Sequence, residues 1–599
     1  MKQKSRILYL FGWCLLFMAI FAYCQYFLSY NYPFVEQLSF FRFSKEFAFT
    51  TLEQPGGVAT YIASFLSQFF LLSAIGPLIS AVLAVLLTVF LDLSLRQIYT
   101  KYYLPFLSAI PALTCLWLET DFNYYLSGTV SLLLACITFW LYLKSRSMCS
   151  LFVRLGGLLL LSWPMYYGLG SNALLMVGLC VLSELRKSDK KSFWGLLVLP
   201  VAIACPIMLY YVEKGKDLFF QLLPAGYYVD SLPTPNLIYY AWIAVLMNVI
   251  LAKLLAAKHA VSENKPLSVF NRITHAAWLV GIQFVAVIAL MYGGMKVYNS
   301  ATNYEAKVFD FYSRTGQWMQ LLQDKHLRAQ KNFMHTCYQN LALSSLNLMG
   351  DKLFACPQTG FPGLFIKWNK TVNSSIVLSD VYWQCGNVAL AQEMAFEGMI
   401  ASRDGVNPRL LMRLVQTNLV AGNYLVAEKY INLLADTYSY AEQAEEYRKL
   451  LFNDQAVLDD AELGPRKKCM RSFGLTSTQS TVEDLNLIIA CNPEFIPAFH
   501  YYAAACLLVK DIPSFKNFIE KYHDAPALSK MPIHLQEAVI ISYESEPERW
   551  TALGVTSQVK QRFEQYRAQL LSYRGSPMLG RKMAASFRDT YWYYFMFRK

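Results

Sequence analysis

The sequence predicts an all-α protein in two parts. Residues 1–300 read as a polytopic bundle of about nine transmembrane helices with the N-terminus inside and the C-terminus outside, and residues 301–599 as a soluble α-helical repeat domain. Three observations predict it. Apolar stretches of near-spanning length recur until residue 298 and then stop; basic residues sort onto alternate connections between them; and the remainder carries helical periodicity with a repeated Gly-Asn turn. Composition agrees, since 55% hydrophobic and 16% charged residues are unusual for a soluble chain of 599. The net charge of +12 is unevenly held: residues 1–300 have 21 Lys/Arg and 12 Asp/Glu, the rest 32 and 29. The positive excess thus belongs to the membrane half, and no nucleic-acid partner is expected.

A membrane-spanning helix needs about 20 mostly apolar residues. Nine stretches qualify or nearly so: Ile7 to Phe27, Leu72 to Leu91, Leu104 to Leu118, Tyr125 to Leu143, Leu151 to Tyr166, Asn172 to Leu185, Phe193 to Tyr211, Leu237 to Leu255 and Ala276 to Val297. The third, fifth and sixth are short. With the N-terminus inside, Lys2, Lys4, Arg6, Arg96, Lys101, Lys144, Arg146, Arg186, Lys187, Lys190, Lys191, Lys253, Lys258, Lys265 and Arg272 share one side, against Arg42, Lys45, Lys214 and Lys216 on the other. Positive residues stay cytoplasmic, so an odd number of spans sends the C-terminal half across the membrane. The expected location is the inner membrane, multi-pass, with a periplasmic C-terminal half.

The first span, behind Met-Lys-Gln-Lys-Ser-Arg, reads as an uncleaved signal anchor because its apolar run is long and no small-x-small site follows. Seven of the thirteen cysteines lie in or next to spans, where Cys behaves as a small apolar residue. Cys337, Cys356, Cys385, Cys469, Cys491 and Cys506 are placed where one disulfide could form, but show no CxxC spacing.

In the soluble half, Gly386-Asn-x-x-x-Ala391 and Gly422-Asn-x-x-x-Ala427 recur 36 residues apart between helical stretches. Gly or Asn accepts the left-handed cap that ends a helix, and Ala lets two helices approach closely. A weaker copy covers Tyr501 to Tyr522, with Lys510-Asp511 at the turn and Ser514 or Phe515 near the small position. This pattern resembles the tetratricopeptide repeat, whose stacked hairpins expose a concave groove for peptides or partner domains. A helical lid over the outer mouth of the membrane half is the alternative.

Soluble-enzyme motifs are missing. No His-Glu-x-x-His, Walker loop, dinucleotide fingerprint or Gly-x-Ser-x-Gly elbow occurs, and the seven histidines have no metal-ligand spacing. Carboxylates on the outer side remain. The loop from Ser29 to Phe70 holds Glu36, Arg42, Lys45, Glu46 and Glu53 among many aromatics, followed by Gln54-Pro-Gly-Gly; the next outer loop is short and holds Glu119-Thr-Asp121. Charges at a membrane mouth are costly unless they face a polar cavity or a ligand.

A long first outer loop with an early acid, an amphipathic stretch before span two, an acidic motif in the next outer loop and a helical-repeat domain after the last span together resemble the GT-C class of membrane glycosyltransferases. Glu36-Gln-Leu-Ser-Phe-Phe and Gln54-Pro-Gly-Gly-Val-Ala-Thr-Tyr-Ile-Ala-Ser-Phe-Leu-Ser-Gln-Phe-Phe are also similar to an uncharacterised family of polytopic bacterial membrane proteins, over the membrane half. The GT-C resemblance implies transfer of a sugar from a polyprenyl-phosphate carrier in the outer leaflet to a lipid, glycan or periplasmic protein acceptor. It implies Glu36 as the catalytic general base and Glu119 and Asp121 as ligands of a divalent cation, Mg or Mn, or as acceptor-orienting groups. It further implies Arg42 or Lys45 at the donor phosphate. The acidic pair of that class is Glu36-Gln37 here, with an amide in second place, as would also suit a non-catalytic relative.

Plainer readings stand beside these. Glu36, Glu119 and Asp121 also fit solvated loop charges; Pro55-Gly56-Gly57 fits a turn opening the helix into span two, or a phosphate-contacting loop. Val212 to Asn236 fits a re-entrant cover or an interfacial aromatic belt, and Tyr591 to Lys599 a last packed helix or a surface anchor. Two function classes follow: a polyprenyl-phosphate-dependent glycosyltransferase whose repeat domain grips the acceptor, and a non-catalytic scaffold whose repeat groove recruits periplasmic proteins. A transporter ranks third, since the spans hold few charges and no repeated halves.

Overall fold

Helices account for nearly all regular structure in the computed structural model, which describes residues 2–99, 105–185, 190–212, 218–229, 232–261, 269–324, 332–402, 405–470, 474–478 and 480–598. Lys101, Leu104, Arg186, Lys187, Lys214, Lys216, Asp230, Lys265 and His326 lie outside the described residues. No β-strand occurs among the described residues, although Tyr124 and Tyr228 form an isolated antiparallel bridge. The chain divides into two compact units: Met1–Lys307 with Asp436–Ser439, and Val308–Ala435 with Tyr440–Lys599.

The first unit contains α1 (Lys2–Phe27), α2 (Asn31–Glu36), α3 (Lys45–Leu52), α4 (Gly57–Ser67), α5 (Ile75–Ile98), α6 (Ile110–Leu118), α7 (Leu126–Lys144), α8 (Leu151–Leu169), α9 (Asn172–Glu184), α10 (Val198–Val212), α11 (Leu218–Leu222), α12 (Leu237–Val261), α13 (Val269–Tyr298) and the first turns of α14 (Ala301–Arg314). Among the described residues, six stretches are long and apolar enough to cross a membrane: Leu10–Phe27, Ile75–Ile98, Leu126–Ser147, Trp194–Val212, Leu237–Ala257 and Gly281–Tyr298. This is a membrane protein by that measure. The third and sixth stretches of the sequence reading are shorter apolar helices, Phe106–Leu118 and Asn172–Glu184, and the fifth is α8, which carries Arg154.

Helix α5 shows why these segments belong in lipid. Leu87, Leu91 and Leu95 recur every fourth residue and are fully buried, which makes one helix face. Leu78, Val82 and Leu86, on another face at the same spacing, are each about 40% exposed (40%, 40% and 39%). A helix apolar all round has no face for water. Helices α5 and α7 pack together in the middle, α5 also against α1, α6 and α12, and α7 against α4, α8 and α9.

Contacts define two ends of this bundle. Ser80 of α5 and Thr129 of α7 both reach Glu119, while Phe90 and Trp140, further along the same two helices, stack at 5.6 Å. The two helices therefore run parallel, and both end at the basic pole. There Glu184 binds Arg146 at 3.0 Å and Arg154 at 3.1 Å, and Lys253 Nζ donates to the carbonyls of Leu182 and Leu185. The opposite end gathers Asn31, Ser80, Glu119, Asp121, Thr129 and Tyr228. The alternation of basic and acidic connections thus becomes two chemically distinct poles.

The second unit is built of antiparallel helix hairpins. Val372–Gln384 and Val388–Ala401, then Pro408–Ala421 and Tyr424–Ala435, pack in succession, and Ile496–Val509 pairs with Ile512–Tyr522. The anticipated turns are present. Gly386 and Gly422 have φ of +85° and +76°, Asn387 Oδ1 accepts from Leu390 N at 3.1 Å, and Lys510 takes the left-handed position with Asp511 capping Ser514 N at 3.1 Å. Ala391 and Ala427 are fully buried at the small positions, and Phe515 fills the corresponding place in the third hairpin. The C-terminal helix Tyr591–Phe597 packs inward, with Tyr591 N bonded to Glu537 Oε2 at 2.7 Å and Trp592 Nε1 to Glu537 O at 2.9 Å. No disulfide occurs among the described residues, so the bridge allowed by the sequence is not formed there.

Gly386 combines a left-handed backbone with no room for a side chain, since a Cβ there would meet Phe495 at 2.8 Å; at Gly422 nothing lies within 4 Å. Gly386→Ala should therefore destabilise the second unit by roughly 1–3 kcal/mol, and by more than Gly422→Ala, whose cost is the backbone alone at about 1–2 kcal/mol. Denaturant unfolding of both variants checks this, and equal losses would refute the steric part.

Candidate functional site

At the acidic pole, α6 ends in a short turn whose polar groups are each taken up by a different element. Asn31, the first residue of α2 and 3% exposed, donates from Nδ2 to the Glu119 carbonyl at 2.5 Å. The Glu119 carboxylate turns into the bundle, accepting from Ser80 Oγ at 2.7 Å and Thr129 Oγ1 at 3.4 Å. Lys307, 2% exposed on α14, donates from Nζ to the Thr120 carbonyl and lies 5.7 Å from the Phe122 ring. Asp121 closes the turn: Oδ1 accepts from the backbone and side-chain amides of Asn123, both at 3.0 Å, and Oδ2 from the Tyr228 hydroxyl at 2.6 Å.

A second strip of chain folds over this turn. Tyr125 N donates to Tyr227 O at 3.0 Å and Val229 N to Asn123 O at 3.1 Å, so the segment after α11 covers the 119–125 loop. The Tyr227 hydroxyl reaches the Leu169 carbonyl at 2.6 Å and Ser131 at 2.9 Å; Asn172 links Ser131 at 2.9 Å to Trp242 Nε1 at 2.6 Å. Gly170 has φ of +59°, and a Cβ there would meet the Tyr227 hydroxyl at 2.8 Å and Gly56 at 3.4 Å. Gly56, at φ +75°, is the N-cap of α4 and donates to the Tyr166 carbonyl. Pro55-Gly56-Gly57 is thus the turn that opens α4.

Burial gives two groups of the turn unusual acidities. The Glu119 carboxyl is pushed up to about 7 by loss of solvent, partly offset by the Ser80 and Thr129 hydroxyls. The Lys307 ammonium is pushed down to about 7 by the same loss, opposed by the Asp121 charge. Two groups shifted toward neutrality beside one turn make it the candidate functional centre.

Glu36 ends α2 and is 2% exposed, and Gln37 beside it is 1% exposed, so neither is a solvated loop residue. Phe34 of the same helix meets Phe122 edge to face at 5.2 Å, which attaches α2 to the 119–122 turn. Arg42 is half-buried with its guanidinium 5.7 Å from the Phe47 ring, in a cluster with Phe41, Phe43, Tyr61 and Phe65. Lys45 is exposed at the start of α3. The structure brings the α2 segment and the Glu119–Asp121 turn together, while Arg42 belongs to the aromatic cluster. Glu119 and Asp121 take separate sets of partners, and among the described residues no three His, Cys, Asp or Glu side chains gather as metal ligands.

Lys307 and the Ser80–Thr129 pair escaped the sequence reading, whereas Tyr227 and Tyr228 belong to the Val212 to Asn236 stretch read there as a cover or an aromatic belt. Lys307 lies beyond the last apolar stretch, in residues assigned to the soluble half; its helix, with acidic, basic and aromatic residues at close spacing, was the available signal.

A family model described as "Family of unknown function (DUF6057)" matches residues 4–598, and the chain belongs to that family. The match extends through the soluble half as well as the membrane half. No curated protein and no solved structure matches the chain.

The raised Glu119 acidity has a stability consequence. The folded protein holds this proton more tightly than an exposed glutamate with the ordinary value of 4.5, so the contribution is full below about 4.5 and is lost as pH rises through about 7. Glu119→Gln removes that loss. Its thermal midpoint in detergent should rise relative to the parent between about pH 5 and pH 8. Lys307 shifts the other way but is common to both proteins and cancels. A pH-independent difference would refute the assignment.

Proposed function

We propose that this family member is a multi-pass inner-membrane protein that transfers a sugar from a polyprenyl-phosphate carrier at its acidic, outward pole. The observation that carries the reading is the convergence of two other connections, through Asn31 and Tyr228, and of Lys307 on the Glu119–Thr120–Asp121 turn, at the pole opposite the basic cluster. The positive-inside rule orients that pole outward. Nine spans follow if the shorter helices α6, α8 and α9 also cross, and the second unit is then periplasmic. Its Gly-Asn hairpins support a tetratricopeptide-like role in gripping the acceptor.

In this reading Glu36 takes the proton of the acceptor hydroxyl as its oxygen bonds to the sugar C1, and the C1–O bond to phosphate breaks, releasing the polyprenyl phosphate. The aromatic cluster of Phe41, Phe43, Phe47, Tyr61 and Phe65, with exposed Phe43 and Phe49 at its rim, offers an apolar flank for isoprene, and Arg42 within it a cation for the phosphate. A shared divalent cation fits poorly, because Glu119 is engaged by Ser80 and Thr129 and Asp121 by Asn123 and Tyr228. No step is assigned to one.

The competing reading, a scaffold that recruits periplasmic proteins, is favoured by the burial of both Glu36 and Gln37 within a packed helix end. Glu36→Gln separates the two. Transferase activity predicts that profiles of surface glycans and lipid-linked sugars in the Glu36→Gln strain match those of the deletion strain. A parent-like profile in the variant beside a changed one in the deletion favours the scaffold, and an unchanged deletion strain removes glycosyl transfer altogether.

Orientation is separately testable with the native thiols. Cys149 is exposed at the basic pole and Cys491 is exposed in the second unit. A membrane-impermeant maleimide applied to intact spheroplasts should label Cys491 and leave Cys149 until the membrane is permeabilised; the reverse order would invert the topology.

A further inference from the structure

The second unit contains a cavity of about 330 Å³ that none of the preceding chemistry uses. Its walls include Asp380, Trp383, Arg409, Arg413, Glu462 and Arg466, drawn from three stretches of chain. Trp383 forms its centre. The Arg413 guanidinium lies 4.5 Å from the indole ring and the Arg466 guanidinium 4.6 Å, so two cations stack on one tryptophan. The indole N–H is held by Glu462 Oε1 at 2.7 Å, which fixes the ring.

The charges are unevenly matched. Arg409 is neutralised below the cavity by Asp310 and Asp380, each at 2.5 Å, and Arg413 shares Asp380 at 3.0 Å. Arg466 is 9% exposed and spends its donors on main-chain carbonyls, those of Trp383 at 2.8 Å and Glu462 at 2.7 Å. Among the described residues no carboxylate pairs with it at salt-bridge distance. Arg413 Nε is likewise buried without a hydrogen-bond partner. Arg314 also lines the cavity, so four arginines and the carboxylates of Asp380 and Glu462 face it. Burial and the neighbouring Arg413 push the Arg466 guanidinium down to about 10, against the pull of Glu462. Burying a guanidinium beside another without a matching anion is costly, and a bound anion would relieve that cost.

We propose that this cavity is a binding site for a single anionic group, a carboxylate or phosphate carried by one sugar or one amino acid, which the Arg413 and Arg466 forks receive across the Trp383 ring. The volume is at the small end for ligand pockets and suits one such unit. Guanidinium forks match planar carboxylate and phosphate oxygens, which ammonium groups do not. The site concerns what the second unit recognises, and it stands whether the membrane unit is a transferase or a scaffold.

Saturation-transfer NMR and thermal shift on the full chain in detergent test it, with D-glucuronate, inorganic phosphate and N-acetyl-aspartate as probes and D-glucose as the uncharged control. At about 10 mM, ten times a dissociation constant of about 1 mM, at least one anion should bind and glucose should not. Which anion binds best distinguishes a glycan carboxylate, a phosphate and a peptide carboxylate. Arg466→Gln should weaken binding at least about tenfold, the effect of losing a charge-assisted pair of about 1.4 kcal/mol. Arg466→Lys keeps the charge and loses the fork; at parental thermal stability it should also bind several-fold more weakly, which decides the matter if the Gln variant unfolds. No response to any anion, or parental affinity in a folded Arg466 variant, would overturn the proposal.

Discussion

Every polar group that α6 exposes as it leaves the apolar bundle must find a partner inside the protein, and the acidic pole is organised around that requirement. The turn after Leu118 presents the carbonyls of Glu119 and Thr120 and the side chains of Glu119 and Asp121. Each draws in a different element: Asn31 brings α2, Ser80 and Thr129 bring α5 and α7, Tyr228 brings the segment after α11, and Lys307 brings α14. Hydrogen bonds formed away from water are strong and their loss is expensive. The pole is therefore a connected set, and its two poised acidities follow from the same enclosure that makes the bonds necessary.

Much of this architecture was legible because hydropathy and charge act locally. Each of the nine apolar stretches contains a helix, and Arg146, Lys144, Arg96 and Lys253 fall together at one pole. The Gly386-Asn387, Gly422-Asn423 and Lys510-Asp511 turns were legible for a similar reason, since a left-handed residue followed by a capping side chain is a short-range device. The limits were equally physical. Helix length sets whether a segment spans, and α6 and α9, already short as apolar runs, are helices of only 9 and 13 residues. Glu119 and Asp121 are two residues apart in sequence yet belong to different partner sets, because Glu119 closes the helix and faces inward while Asp121 caps the following turn. Spacing alone carries no information about that rotation. Lys307 was hidden because its partner, the Thr120 carbonyl, is 187 positions away.

The second unit solves a different problem with the same groups. There the hairpins stack through small or closely fitted contacts, as at Gly398, where a Cβ would meet Leu410 at 2.5 Å and Ser375 at 2.8 Å. Ile376, Ala395, Leu410 and Leu414 form one apolar cluster across three successive helices. Beside this core lies the Asp310–Arg409–Asp380–Arg413 network, almost wholly enclosed. Two carboxylates hold the Arg409 guanidinium above its ordinary range despite its burial, so this network is satisfied. Arg466, a few ångströms away across Trp383, is held below its ordinary range instead. The contrast places the imbalance at the cavity and not in the network that supports it.

The basic pole shows that one set of residues can serve topology and helix termination together. Helix α9 ends at Glu184 with carbonyls that have no further turn to receive them, and Lys253 from α12 supplies its ammonium to those of Leu182 and Leu185. A cation at a helix C-terminus is favourable in any protein. Glu184 then binds Arg146 and Arg154, so one acid ties the end of α7 to α8 and α9 without cancelling the local excess of positive charge. The basic residues that alternate along the sequence are thus also the contacts that join these helices, which is why a bias read from sequence reappears as packing.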